Sequence, residues 1–192
     1  MVRFLRGKNE LFNMRTSNKL IIFLFLALII PGCKKNYVLN GKQHILFQYD
    51  YINYAWGYVH EGFYIDDEGN IMTYKNPDNW NFHGQDYNLS DEQLSENIAK
   101  CSKSEIKIGK DELARFSSHI QNIASSKVTA IRSEAADAGT SVFICYTFSD
   151  QNNVYKGCLI KMEGDYSCEN LNFYSKKVSL WLKTINDSLL KK

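Results

Sequence analysis

Apolar residues recur along this chain in three rhythms, and each rhythm predicts a different element. Near the start stand eleven consecutive apolar residues, Leu20 to Ile30, preceded by Arg15 and Lys19 and followed by Pro31-Gly32. As a helix rising about 1.5 Å per residue, this run is too short for a hydrocarbon core of about 30 Å, so it reads as the h-region of a secretory signal. Aromatic and aliphatic residues in partial alternation then predict strands over 44–51, 58–65 and 71–75. The last two flank Asp66-Asp67-Glu68-Gly69-Asn70, whose glycine can take the positive φ of a tight hairpin. Three more strands, 141–148, 154–162 and 166–173, form a meander around the turns at 150–153 and 163–165. The helical period appears three times. Ser90 offers an N-cap with Gln93 three residues on, and Leu94, Ile98 and Cys101 share a face of a helix over 91–101. Asp111 and Glu112 open a second helix whose stripe is Leu113, Phe116, Ile120 and Ile123. Val178, Trp181, Ile185 and Leu189 line a C-terminal helix. Residues 76–88, with Pro77, Asp78, Asn79 and Gly84, read as a loop carrying Trp80, Phe82 and Tyr87, and 128–140 reads as an ordered loop. The predicted class is α+β: an antiparallel sheet of about five or six strands, a central helical pair and a C-terminal helix.

The end of the first apolar run, Ile30-Pro31-Gly32-Cys33, resembles the lipobox of bacterial lipoproteins, with Gly32 and Cys33 fitting best and Ile30 and Pro31 departing from the commonest pattern. The resemblance implies that Cys33 carries a diacylglycerol and becomes the first residue of the mature protein. Each buried methylene contributes about 0.8 kcal/mol, so two or three acyl chains give a durable membrane anchor where one would not. Lys34 stands where an Asp commonly retains such proteins at the inner membrane, so that family's sorting logic points to the outer membrane of the cell envelope. Met14 begins a compact signal of its own and reads as the true start of translation. The expected organisation is a signal peptide over 1–32, a lipidated tether over 33–43 and one globular domain over 44–192, with no repeat, low-complexity segment or domain linker.

Removing the signal reverses the charge. Residues 34–192 hold 18 Lys and Arg against 20 Asp and Glu, a net of −2 in place of +2 for the whole chain. With no basic cluster beyond Lys34-Lys35 and Lys191-Lys192, the footprint of a nucleic-acid binder is missing.

Setting Cys33 aside for lipid leaves Cys101, Cys145, Cys158 and Cys168, an even number in an exported chain. A hairpin centred between Gln151 and Asn152 pairs residues whose numbers sum to 303, as those of Cys145 and Cys158 do. A Cys145–Cys158 bridge is therefore preferred, with Cys101–Cys168 as the remaining pair and four buried thiols as the alternative, since a slip of one residue separates the first pair. No CxxC spacing supports redox catalysis or zinc.

Little else carries chemistry. His44, His60, His83 and His119 lack the spacings of zinc enzymes, and no GxSxG, Walker or dinucleotide loop is present. Asp66, Glu68 and Asn70 lack the Gly and Glu that an EF-hand loop requires. Nothing calls for a cofactor or metal, and no catalytic residue is assigned. His60 and Glu61 with Asp66 and His83 form the one cluster that could hold a general acid and base, although neighbours in a strand point to opposite faces. Composition is more telling. Twelve aromatic residues lie between Phe47 and Tyr87, and from Asp50 to Glu96 ten carboxylates face a single base, Lys75. Tyr and Trp give large contact area at low entropic cost, and negative charge speeds the encounter with a basic partner. The expectation is a non-catalytic module that binds a basic protein or peptide through Trp80, Tyr87 and members of the Tyr54, Trp56, Tyr58 group, steered by Asp78, Asp86 and Asp91. The alternatives are a Tyr-rich sheet with a solvated acidic face, and an envelope hydrolase built on His60, Glu61, Asp66 and His83.

Overall fold

The computed structural model describes residues 41–191. The expectations for the signal, the start at Met14, Cys33 and most of the tether lie outside the described residues.

The alternating segments form one antiparallel sheet. Its strands are β1 (Ile45–Asn53), β2 (Val59–Asp66), β3 (Asn70–Lys75), β4 (Asn88–Ser90), β5 (Ser102–Lys107), β6 (Arg132–Ser133), β7 (Thr140–Ser149), β8 (Val154–Gly164) and β9 (Tyr166–Glu169). Their order is β5-β3-β2-β1-β7-β8-β9-β6, with β4 lying beside the first residues of β8. The helices are α1 (Asp91–Ile98), α2 (Lys110–Ser117), α3 (Ile120–Ala124) and α4 (Ser175–Leu189). The α+β class holds, and the sheet is larger than the five or six strands expected.

Each departure has a local cause. The helical pair is interrupted by β5, a polar Ser-Lys-Ser-Glu-Ile-Lys segment that pairs with the edge of β3 instead of packing a stripe. The second helix breaks after Ser117, where the Ser117 and Ser118 hydroxyls donate to the carbonyls of Ala114 and Arg115 and so compete with the helical ladder. The last meander strand stops at Glu169 because Asn170 turns the chain. Its amide donates to the carbonyls of Ile123 and Leu159 while its oxygen accepts from the Asn172 N–H. Asn172 repeats the device on the Tyr174 N–H, and α4 starts at Ser175, three residues earlier than the stripe suggests. The Ser90–Gln93 capping box forms as its spacing predicts, but α1 ends at Ile98.

The two faces of the sheet have different covers. Phe47, Tyr49, Phe63, Ile65, Ile71, Phe143 and Ile160 face the helical layer, meeting Leu113, Ile120 and Ile123 of α2 and α3 and Val178, Trp181, Leu182 and Ile185 of α4. Trp181 stacks on Phe116 at 4.1 Å and meets the edge of Phe47 at 5.2 Å, and its indole N–H donates to Glu112. Tyr64, Tyr74, Ile144, Tyr146 and Leu159 face the other way, under α1 and the segment leading into β4. Among the described residues, no helix is long and apolar enough to cross a membrane.

Candidate functional site

The second face holds a buried polar network. Side chains at every other position of β1 and β2 point to it, which places Gln48, Asp50, His60 and Tyr64 together, with Tyr74 from β3 and Tyr146 from β7. Asp50 is opposite Gly62, and Gly62 is opposite Tyr74. The missing side chain at Gly62 is what lets Tyr74 lie across β2. A Cβ there would stand 2.1 Å from the Tyr49 carbonyl oxygen and 2.6 Å from the Tyr74 hydroxyl. That hydroxyl donates to Asp50 Oδ1 at 2.6 Å, and His60 Nε2–H donates to the same oxygen at 2.8 Å. Asp50, His60 and Tyr74 are all buried.

The network continues in one direction. Gln48 Nε2 donates to the Tyr74 hydroxyl at 2.9 Å, the Tyr146 hydroxyl donates to Gln48 Oε1, and His83 Nε2 donates to the Tyr146 oxygen at 2.6 Å. The chain therefore runs from His83 through Tyr146, Gln48 and Tyr74 to Asp50. Burial, reinforced by the Asp50 charge, pushes the hydroxyls of Tyr74 and Tyr146 well above the ordinary tyrosine value, so both remain donors. Burial lowers His83, with Asp50 and Asp86 opposing it, which keeps the imidazole neutral. Bonds aligned head to tail polarise one another, and Asp50 is the acceptor on which they converge. His60 Nδ1 finds no partner among the described residues.

Residues 76–87 close over this network. Asn76, in the left-handed region at φ 46°, extends the β2–β3 ladder: its N–H donates to the His60 carbonyl and its side-chain oxygen accepts the His60 N–H. Asn97 of α1, fully buried, holds the Asn81 backbone from both sides, accepting its N–H and donating to its carbonyl. Pinned at both points, the segment brings Trp80 and Phe82 to 5.3 and 5.1 Å from the His60 ring, which Tyr58 and Tyr74 flank at 6.2 and 5.2 Å.

Above this box lies an exposed aromatic tip. Tyr54, Trp56 and Tyr58, in and beside the β1–β2 connection, are 71%, 86% and 44% exposed, and Phe82 on the covering segment is 49% exposed. The Tyr54 and Tyr58 rings are 5.5 Å apart. Trp80 and Tyr87, expected to face a partner, are packed inward. Trp80 lies 4.3 Å from the Tyr74 ring, and Tyr87 is half-buried, its carbonyl accepting the Gly157 N–H. Asp78 and Asp86 are exposed on the covering segment, whereas Asp91 begins α1 at the opposite end of the sheet, its N–H bonded to the Asn153 carbonyl. Phe82, embedded in the same loop as Trp80, is the exposed ring of that loop, which composition could not single out.

The residues of the expected acid–base cluster are not brought together. Glu61 points away from His60 and sits 3.8 Å from Lys75. Asp66 closes the β2–β3 turn by accepting the N–H groups of Glu68 and Asn70, about 20 Å from His60 at roughly 3.3 Å per strand residue. His83 reaches His60 only through four intervening side chains. The carboxylate that does meet His60 is Asp50. Among the described residues, no group of three or more His, Cys, Asp and Glu is arranged to hold a metal ion.

The four described cysteines are thiols. Cys145 and Cys158 stand opposite each other on β7 and β8 as their numbering requires. Cys101 adjoins β5 and Cys168 lies in β9, with β3, β2, β1, β7 and β8 between those strands. Six strand steps of about 4.8 Å thus lie along the sheet between the two strands, against roughly 4.4–6.8 Å between the Cα atoms of a disulfide.

Compared with protein-family models, with curated proteins and with solved structures, the chain matches none.

Proposed function

We propose that the chain is a lipid-anchored bacterial envelope lipoprotein, held at the outer membrane through acyl chains on Cys33, whose domain is a non-catalytic module that binds a basic protein or peptide. The observation that carries this reading is the aromatic tip. Large rings are normally the first groups to be buried, yet Tyr54, Trp56, Tyr58 and Phe82 stand exposed together at one end of the sheet. Beneath them, a converging network fixes the strands and the covering segment. The rings are thus presented on a rigid base, which lowers the entropy lost when a partner docks.

Charge and placement agree with it. Asp78 and Asp86 are carried by the same segment as Phe82 and would raise the encounter rate of a cation. The described chain enters β1 at the end opposite the tip, and β1 is nine residues long, about 30 Å at roughly 3.3 Å per residue. A tether from a lipid at Cys33 would therefore join the domain at the end away from the tip. A hydrolase would have to run on Asp50 and His60, which are buried and committed to each other.

The test is fluorescence titration of the purified protein with an oligo-arginine peptide, alongside a neutral oligosaccharide. The peptide should perturb tryptophan emission, with an affinity that falls as salt rises because exposed charges are screened beyond about 8–10 Å near physiological ionic strength. Trp56→Ala and Asp86→Asn should each weaken it at least threefold, the first without moving the thermal midpoint. Equal binding of the neutral sugar, or unchanged binding by both variants, would overturn the reading.

A further inference from the structure

The opposed cysteines owe their meeting to the β7–β8 turn, whose register of 303 runs from Ser149–Val154 through Cys145–Cys158 to Ile144–Leu159 and ends at an irregularity just beyond them. From Thr140 to Phe143 the paired numbers sum to 304, and a bulge between Phe143 and Ile144 changes the sum to 303 for the rest of the ladder. Had the first register continued, Cys145 would face Leu159. Because the bulge lies beyond the pair, the register at the cysteines is kept, and both thiols face the helical side of the sheet, in the same core layer.

The two thiols differ in access. Cys145 is completely buried, with its S–H donating to the Cys158 carbonyl at 3.7 Å. Cys158 is half-buried and lines a cavity of about 360 Å³ whose walls include Tyr87, Ile123, Val128, Leu159 and Asn170. This cavity lies where the outer edge of β8 has no strand beside it. β4 ends its pairing at Lys156 and β9 begins at Lys161, so Cys158 sits in the interval between them. They also differ in acidity. The Cys145 S–H, together with Thr147 and Lys156, lowers the Cys158 thiol despite its burial, while burial drives the Cys145 thiol well upward. Burial raises Cys168 as well and pushes Cys101 up to about 12.

We infer that Cys145 and Cys158 are a redox couple of fixed polarity, in which a small disulfide such as oxidised glutathione enters at Cys158 and Cys145 resolves the adduct. Cys158, as thiolate, attacks one sulfur of the oxidant. A new S–S bond forms at Cys158, the oxidant's own S–S bond breaks, and one glutathione thiolate leaves. Cys145 then gives up its proton through water to the first departed glutathione thiolate and attacks the Cys158 sulfur, closing the cross-strand disulfide and expelling the second glutathione as a thiolate, which takes up the proton that Cys158 had released to solvent. Two protein thiols are oxidised and one glutathione disulfide is reduced to two thiols. The reverse sequence starts with an external thiolate at the same sulfur, since Cys145 has no route to solvent. Neither direction depends on the aromatic tip.

The experiment exposes the native full-length protein to oxidised glutathione, quenches with N-ethylmaleimide and maps the cysteines by non-reducing mass spectrometry. Wild type should give a Cys145–Cys158 crosslink with little persistent adduct, and Cys145→Ser should accumulate glutathione on Cys158. Before oxidation, Cys158 in the folded wild type should alkylate at least tenfold faster than Cys145, Cys101 or Cys168, a measurement that needs no variant. Alkylation of Cys145 at a rate equal to or above that of Cys158 would overturn the proposal. So would four thiols still free after prolonged exposure.

Discussion

Gly62→Ala is the sharpest test of how the polar network is built. The added methyl would sit 2.1 Å from a backbone carbonyl oxygen of the neighbouring strand and 2.6 and 2.8 Å from the hydroxyl oxygen and Cζ of Tyr74. Ordinary contacts need at least about 3.4 Å, so β1 and β2 must part by roughly an ångström or Tyr74 must leave its place. Overpacking of this kind costs about 1–3 kcal/mol. Displacing Tyr74 also removes its hydrogen bond to the Asp50 carboxylate, and bonds to charged groups contribute about 1.5–3 kcal/mol. The combined loss is about 2.5–6 kcal/mol, a large share of the roughly 5–15 kcal/mol that holds a domain folded. At about 2–4 °C per kcal/mol for a domain of this size, the thermal midpoint should fall by roughly 5–24 °C, read by far-ultraviolet circular dichroism. Gly41→Ala is the control, because a Cβ there meets nothing within 4 Å. A Gly62→Ala midpoint within about 2 °C of wild type would mean that Tyr74 does not cross β2 to reach Asp50.

Tyr74→Phe keeps the ring and removes only the converging hydroxyl, so it should lower the urea-derived stability by about 1.5–3 kcal/mol with an unchanged m-value; a smaller effect than about 0.5 kcal/mol would refute the network's contribution. Stability should also decline in mild acid. The folded state holds His83 below its ordinary value, chiefly by burial, so the unfolded chain takes up a proton near pH 6.5 that the folded chain refuses, and stability present above that pH is lost as pH falls below it. His119, lowered by burial and by Lys177, acts with the same sign. His83→Gln should shrink the drop in urea midpoint between pH 7.5 and 5.5, and an equal drop in variant and wild type would exclude His83 as its source. Cys33→Ser should move the protein from the detergent phase to the aqueous phase, or leave an unprocessed precursor, on phase separation; normal maturation with unchanged partitioning would contradict lipid attachment.

What the sequence disclosed was whatever short-range patterns control. The Asp66–Asn70 turn, the Ser90–Gln93 capping box and the 303 pairing of the second hairpin all rest on residues close in the chain, and all three appear in the fold. β5 escaped notice because its Lys, Ser and Glu residues have poor strand propensity, and its structure comes from hydrogen bonds to β3 about thirty residues away. The Asp50–His60 pair was legible in part. Both are at even positions of strands that pair, and a glycine at 62 beside an aromatic strand hints at a ring lying across it. The carboxylate first set beside His60 was instead Glu61, which alternation sends to the opposite face. Composition located the aromatic region but could not divide it. Whether a tyrosine or tryptophan is exposed depends on the covering segment, whose path is fixed by Asn76 and Asn97 through contacts that no periodicity encodes.

The outermost strand also limits what neighbouring copies can do to one another. β5 presents Lys103, Glu105 and Lys107 along the free side of the sheet, all exposed, while the long strand β8 is shielded by β4 at one end and by β9 at the other. Held at a membrane surface as proposed, the chain would meet its own copies at far higher local density than in solution, which favours edge-to-edge β-pairing. Charged side chains on the open edge make that approach unfavourable, because their hydration would have to be surrendered before a new ladder could form. The same six mostly polar residues that hide a strand in the sequence thus act as a barrier to fibre-like assembly along that edge.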